Sequence, residues 1–174
     1  FRLAQKLRWI HTGMAGLTWI LIPPVVESQV VVSNGKGVHP PIMGEHAMAL
    51  MLAFSRSLHD CLEFQRKAVW GRNEIYSRVP SFEGLCGKTV GIVGFGAIGA
   101  EVGRRARTFQ MRVIGFKRNV DQGKGLADVL CEPGELNDYL PEIDYLIIAA
   151  PLTEETEGMI GPAQLELMKS TAVL

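Results

Sequence analysis

The sequence predicts an α/β protein whose main sheet is parallel and doubly wound, and three observations carry that prediction. From Lys88 onward, short apolar runs alternate with helical patterns, strand then helix. Those runs do not alternate apolar and polar at period two, as expected when helices cover both faces of a parallel sheet. The first run passes directly into a glycine-rich turn that opens a helix.

The elements before Lys88 have a different rhythm. Between Leu7 and Gly37 the runs WI, WILI and VVV read as strands or strand edges, joined by turns at Gly13, Pro23-Pro24 and Asn34-Gly35. Next, "MGEHAMALMLAFSRSLHDCLEFQRKAVW" predicts one long helix from about Gly44 to Lys67. Its first half is apolar nearly all round, which implies burial on several sides; its second half is one-sided. "GRNEIYSRVPSFEGLCGK" is polar and turn-rich and predicts a connecting loop. After it come a strand "TVGIV", a helix "IGAEVGRRARTF" and a strand "MRVIGF". A short strand "ADVL", a helix "GELNDYL" and a strand "DYLIIAA" follow, then a helix "PAQLELMK" and the start of a strand at "TAVL". The expected strand order is 3-2-1-4-5.

The chain has 174 residues, 47% of them hydrophobic, and formal net charge zero. That length suits one globular domain, or one domain and part of another. Balanced charge supplies no electrostatic footprint for nucleic acid or for an anionic membrane surface. Apolar runs are broken by Pro23, Pro24, Glu27 or the charges after Phe54 before they reach spanning length. Cys61, Cys86 and Cys131, odd in number and far apart, do not make a disulfide framework, and a reducing, cytoplasmic compartment is expected. With His11, His39, His46 and His59 they show no paired zinc-ligand spacing, so no metal is expected. The chain begins with Phe1 rather than methionine and stops at "STAVL"; both ends read as internal to a longer protein.

"GFGAIG" places Gly94, Gly96 and Gly99 in G-x-G-x-x-G spacing. The first glycine permits the tight turn off the strand, the second admits a pyrophosphate against bare backbone, and the third lets helix and sheet pack closely. Free amides at the positive helix N-terminus then face the phosphates. The strand before it and the helix after it supply the context that a dinucleotide-binding turn requires. About twenty residues on, where an acid would accept hydrogen bonds from the adenosine ribose, stand Lys117 and Arg118, with Asn119 beside them. Cations there suit a 2′-phosphate, so NADP is the expected cofactor, with NAD possible. The nearest acid, Asp121, falls in the following loop. Arg104, Arg105 and Arg107 read as the solvated face of the helix, and Glu154, Glu155 and Glu157 as loop and helix-start decoration.

The glycine turn, with "PLTEETEGMIG" after it and "GVHPPIMGEHAMALML" before it, resembles the D-isomer-specific 2-hydroxyacid dehydrogenases. The acid-free second strand is similar to the glyoxylate/hydroxypyruvate-reductase branch. The resemblance implies a Rossmann cofactor domain over residues 40–174, incomplete at its C-terminal end. It implies that residues 1–39 are the C-terminal part of a flavodoxin-like substrate domain. In "IHTGMAGLTWI" it puts Ala15 and Gly16 at the loop whose amides hold the substrate carboxylate; Thr18 stands where the family carries an acid. "SNGKGVHPPIMGEH", with Asn34, Glu45 and His46, looks like the crossing between domains, and His46 reads as structural. Ala97 and Ile98 match the positions whose backbone meets the pyrophosphate, and Ala150, Pro151, Leu152 and Thr156 match the strand-end loop beside the cofactor.

The implied reaction is hydride transfer between nicotinamide and a small 2-oxo or 2-hydroxy acid, of glyoxylate or hydroxypyruvate type. Its Arg, Glu and His are expected beyond Leu174, so no catalytic residue is assigned and these 174 residues alone are expected to be inactive. A homodimer is implied as well. The competing expectation is a dinucleotide-sensing scaffold, like transcriptional corepressors of the same fold, in which the cofactor governs assembly.

Overall fold

The chain separates into two units, Phe1–Pro40 and Pro41–Leu174, in a computed structural model that describes residues 1, 3–78, 84–121 and 125–174. In the first unit, strand β1 (Trp9–Thr12) pairs in parallel with β2 (Val31–Asn34), Thr12 opposite Asn34. The run WILI, expected as a strand edge, is turn, followed by one helical turn, α1 (Pro23–Val26). Two consecutive prolines explain the correction: their fixed φ suits the first helical positions, where no amide donor is needed.

In the second unit, α2 (Pro40–Ser55) and α3 (Leu58–Arg66) replace the single helix expected across Gly44–Lys67. The break falls at Ser57, whose φ of 48° is left-handed. A residue with a Cβ adopts that conformation only at a cost, and here Ser57 is held in it while buried, 3% exposed. Apolar periodicity carries no signal for a one-residue kink. Of α2, Gly44, Met48 and Met51 face the core, whereas Ile42, Met43, Leu50 and Phe54 stay exposed. Helix α4 (Arg72–Arg78) lies inside the stretch read as a loop. Its polarity hid it: Ile75 supplies its buried contact, and the Arg72 guanidinium rests 5.3 Å from the Tyr76 ring.

The remaining strands and α-helices are β3 (Thr89–Val93), α5 (Ala97–Thr108), β4 (Arg112–Phe116), β5 (Val129–Cys131), α6 (Leu136–Tyr139), β6 (Tyr145–Ile148) and α7 (Pro162–Leu167). The four strands are parallel in the order β5-β4-β3-β6. Counted within this unit, the order is 3-2-1-4, and Val173 continues it with a single parallel bridge to Tyr145 rather than a full strand. Alternate side chains pass to opposite faces. Val90 and Ile92 meet Met48, Met51 and Val102, while Val93, Ile114 and Phe116 meet Leu136, Leu140 and Ile143. Every residue of β3 is therefore buried, which removes the period-two pattern.

Carboxylates tie the strand starts together: Asp144 accepts from the Thr89 amide and Asp128 from the Val113 amide, each at 2.8 Å. Arg105 also departs from the solvated face expected of it. Its side chain is 17% exposed and pairs with Glu101 and Glu45. The close approach of α2 to α5 causes this, since a Cβ at Gly44 would sit 3.0 Å from Arg105 Nη1. Arg104, the larger influence, and Arg105 hold the Glu101 carboxyl below its ordinary range. Among the described residues no helix is long and apolar enough to cross a membrane.

Candidate functional site

The fully buried strand β3 ends at Gly94, where the chain must turn sharply beneath the end of β6. Gly94 has φ +86°, and a Cβ there would come within 2.6 Å of Ala149 C and Ala150 Cα. Only glycine meets both demands. The turn is tied to β4 by the amides of Gly94 and Phe95, which both donate to Phe116 O at 3.0 Å. Gly96 then caps α5 in extended conformation, with no side chain to occupy the first-turn amides. A Cβ at Gly96 would meet nothing within 4 Å, so this glycine leaves space open to a ligand. At Gly99 a Cβ would lie 2.6 Å from Gly94 O and 2.9 Å from Ile92 Cγ2, which is the close helix–strand contact.

A cavity of about 580 Å³ opens at this turn, within the roughly 300–1,000 Å³ usual for small-molecule sites. It lies at the carboxyl ends of β3, β4 and β6, the ligand position of open α/β sheets. Gly94, Gly96, Lys117, Arg118, Ala150, Pro151 and Thr156 line it. Ala97 starts α5, and the amides of Ala97, Ile98 and Gly99 are first-turn donors that a helix leaves without intrahelical acceptors. The Ile98 side chain points elsewhere, into an apolar cavity with Met51, Phe54 and Ala150. Leu152 is 82% exposed and does not line the site.

Thr156 shapes the loop after β6. Its Oγ1 donates to Pro151 O at 2.6 Å and accepts from the Thr153 amide at 2.8 Å. Arg118, beyond β4, faces Glu155 of that loop, Nη1 to Oε2 3.7 Å. Asn119 is taken up locally, accepting from the Asp121 amide at 3.2 Å.

In the first unit, Ala15 and Gly16 lie in the turn after β1. Asn34 Nδ2 donates to Ala15 O at 2.6 Å, and Thr12 Oγ1 accepts from the Met14 amide at 3.2 Å. His39 Nε2 donates to Gly13 O at 3.3 Å. The loop is therefore supported from Asn34 and His39, residues read from sequence only as part of a crossing segment or not assigned at all. Nothing lies within 4 Å of a Cβ at Gly16.

Two further residues of the second unit carry little signal in the sequence. Phe95, the variable position of the glycine motif, is 1% exposed. Its ring lies against Gly115 and Gly103, with a Cβ at Gly115 falling 2.6 Å from Phe95 Cγ. An aromatic residue between two motif glycines, with glycines on the next strand and helix, is the signal that could have found it. Glu155 reads as loop decoration in the sequence because its partner, Arg118, is far away in the chain. None of the four histidines is among the residues lining this cavity: His11 meets Ser33, His39 meets Gly13, His59 meets Asp60, and His46 lines the apolar cavity. Among the described residues no three His, Cys, Asp or Glu gather as a metal site.

Residues 48–174 match the family model described as D-isomer specific 2-hydroxyacid dehydrogenase, NAD binding domain. The chain is 36% identical over 176 residues to a glyoxylate reductase from Pyrococcus furiosus, covering 100% of this chain and 52% of that protein. It is likewise 36% identical to a glyoxylate reductase from Thermococcus kodakarensis, covering 100% of this chain and 53% of the relative. A crystal structure of a D-isomer specific 2-hydroxyacid dehydrogenase family protein from Aeromonas salmonicida superposes with a TM-score of 0.83 at 26% identity, over 98% of this chain and 52% of that one. The chain thus spans about half the length of these relatives.

Proposed function

The chain belongs to the D-isomer specific 2-hydroxyacid dehydrogenase family, and from that premise we propose that it forms the cofactor-binding part of a glyoxylate- or hydroxypyruvate-reducing enzyme. The observation that carries the reading is Gly96, which caps α5 with open space where a Cβ would stand, inside a cavity at the strand ends. The residues present fit a nicotinamide dinucleotide. Amides of Ala97, Ile98 and Gly99 would hold the pyrophosphate, and Ala150 and Pro151 line the same cavity. Lys117 and Arg118 favour NADP, because a guanidinium binds a 2′-phosphate through two donors. When bound, the cofactor supplies or accepts the hydride.

Amides around Ala15 and Gly16 hold the substrate carboxylate, with Asn34 and His39 keeping that turn in shape. These 174 residues span about half the length of the relatives, and none of them is assigned to carbonyl orientation or proton transfer, so this portion binds cofactor without turnover. The exposed apolar residues Ile42, Met43, Leu50 and Phe54 of α2 support a homodimer through that face. The test is spectrophotometric: the longer protein should oxidise NADPH in the presence of glyoxylate or hydroxypyruvate. An intact enzyme inert toward every small 2-oxo acid would sink the reading, and turnover by these 174 residues alone would overturn the inactivity expected of them.

A further inference from the structure

The end of β4 carries cations where an acid is usual, yet a carboxylate reaches the same cavity from another loop. Strands β4 and β6 flank β3 on either side, so the segments that follow them converge over the glycine turn. Glu155, from the loop after β6, and Arg118, just past β4, both line the cavity and stand 3.7 Å apart. Both side chains are largely solvated, 76% and 84% exposed, and free to exchange partners.

The two candidate cofactors differ at one place, a 2′-phosphate against a 2′-hydroxyl. A phosphate bound by Arg118 must take the guanidinium from Glu155 and then lie beside that negative charge. A hydroxyl is a donor, and a nearby carboxylate is its natural acceptor. We propose that Glu155 is a specificity-determining residue of the cofactor site, restraining Arg118 from a 2′-phosphate and offering an acceptor to a 2′-hydroxyl. The inference rests on the cofactor site proposed above and refines it: selectivity is set by a pair spanning two loops, and the preference for NADP is narrower than Lys117 and Arg118 alone would make it.

Glu154 provides the control, being a neighbouring carboxylate that does not line the cavity. Titration calorimetry of the 174-residue chain with NADP⁺ and with NAD⁺ reads both affinities without any catalysis. Glu155→Gln should raise the NADP⁺ to NAD⁺ affinity ratio about three- to tenfold, the modest size expected of a solvated pair. Glu154→Gln, which removes the same charge from outside the cavity, should change the ratio by less than about twofold. The gain from Glu155→Gln should shrink when Arg118 is already alanine. An unchanged ratio in Glu155→Gln, or an equal rise in Glu154→Gln, overturns the assignment and leaves the cofactor site standing. A wild-type chain that binds neither nucleotide overturns the cofactor site itself, and Glu155 with it.

Discussion

Gly94→Ala and Gly96→Ala insert the same methyl group two residues apart into very different surroundings. At Gly94 the new Cβ must accept φ +86° and stand within 2.6 Å of Ala149 C and Ala150 Cα. The left-handed backbone costs about 1–2 kcal/mol for a residue with a side chain. Overpacking adds about 1–3 kcal/mol, with the upper end favoured because the obstacle is backbone of β6 and its loop. A total of roughly 2–5 kcal/mol lowers the melting temperature by on the order of 10 °C for a chain of this size. At Gly96 the backbone is extended and the methyl meets nothing within 4 Å. Stability should hold, or rise by up to about 1 kcal/mol through the stiffer unfolded chain. The methyl would fill the approach proposed for the pyrophosphate, so dinucleotide affinity should fall about tenfold or more. Thermal unfolding by circular dichroism and nucleotide titration, run on both variants, separate the two effects. Full affinity in Gly96→Ala, or an unchanged melting temperature in Gly94→Ala, would refute the roles given to these glycines.

Thr156→Val removes the bond to Pro151 O and the acceptor for the Thr153 amide. At about 1 kcal/mol per bond, nucleotide affinity should fall roughly five- to thirtyfold with little change in melting temperature; Thr156→Ser should restore it, and a titration showing equal affinities in all three proteins would remove the loop from the site. Glu101 gives a pH-dependent test. Its carboxyl is held below the ordinary 4.5, first by Arg104 and then by Arg105, so its contribution to stability is present above that value and lost as pH falls through the lower folded value. Wild type should therefore melt above Glu101→Gln near neutral pH and converge with it in strong acid; a gap that persists undiminished in acid contradicts the ion-pair assignment.

Where one physical demand dominated a stretch of chain, the residues declared it. Val90, Ile92 and Val93 are buried on both faces by helices, so the strand reads as unbroken apolar sequence and the parallel sheet follows. Gly94, Gly96 and Gly99 are each required by a local contact or a local opening, so their spacing announces the turn. Where two demands competed, the reading failed. WILI has strand composition, but Pro23 and Pro24 turn the chain into α1. The apolar pattern of Gly44–Lys67 continues across Ser57, whose left-handed kink divides it. Arg105 looks like surface until α2 is packed upon it.

The amino-acid sequence by itself determined the strand–helix alternation and the glycine turn that ends β3. Both rest on contacts between residues close in the chain, or on composition that burial imposes directly. Tertiary structure alone decided which distant side chains meet. It placed Glu155 opposite Arg118, put Asn34 and His39 under the turn of Ala15 and Gly16, and laid the ring of Phe95 on Gly115. Such pairs join residues brought together by strand order and loop direction, and solvated or singly occurring side chains carry no periodic signal that would mark them beforehand. The motif located the cradle, and the crossing of loops above the sheet set the charges at its rim.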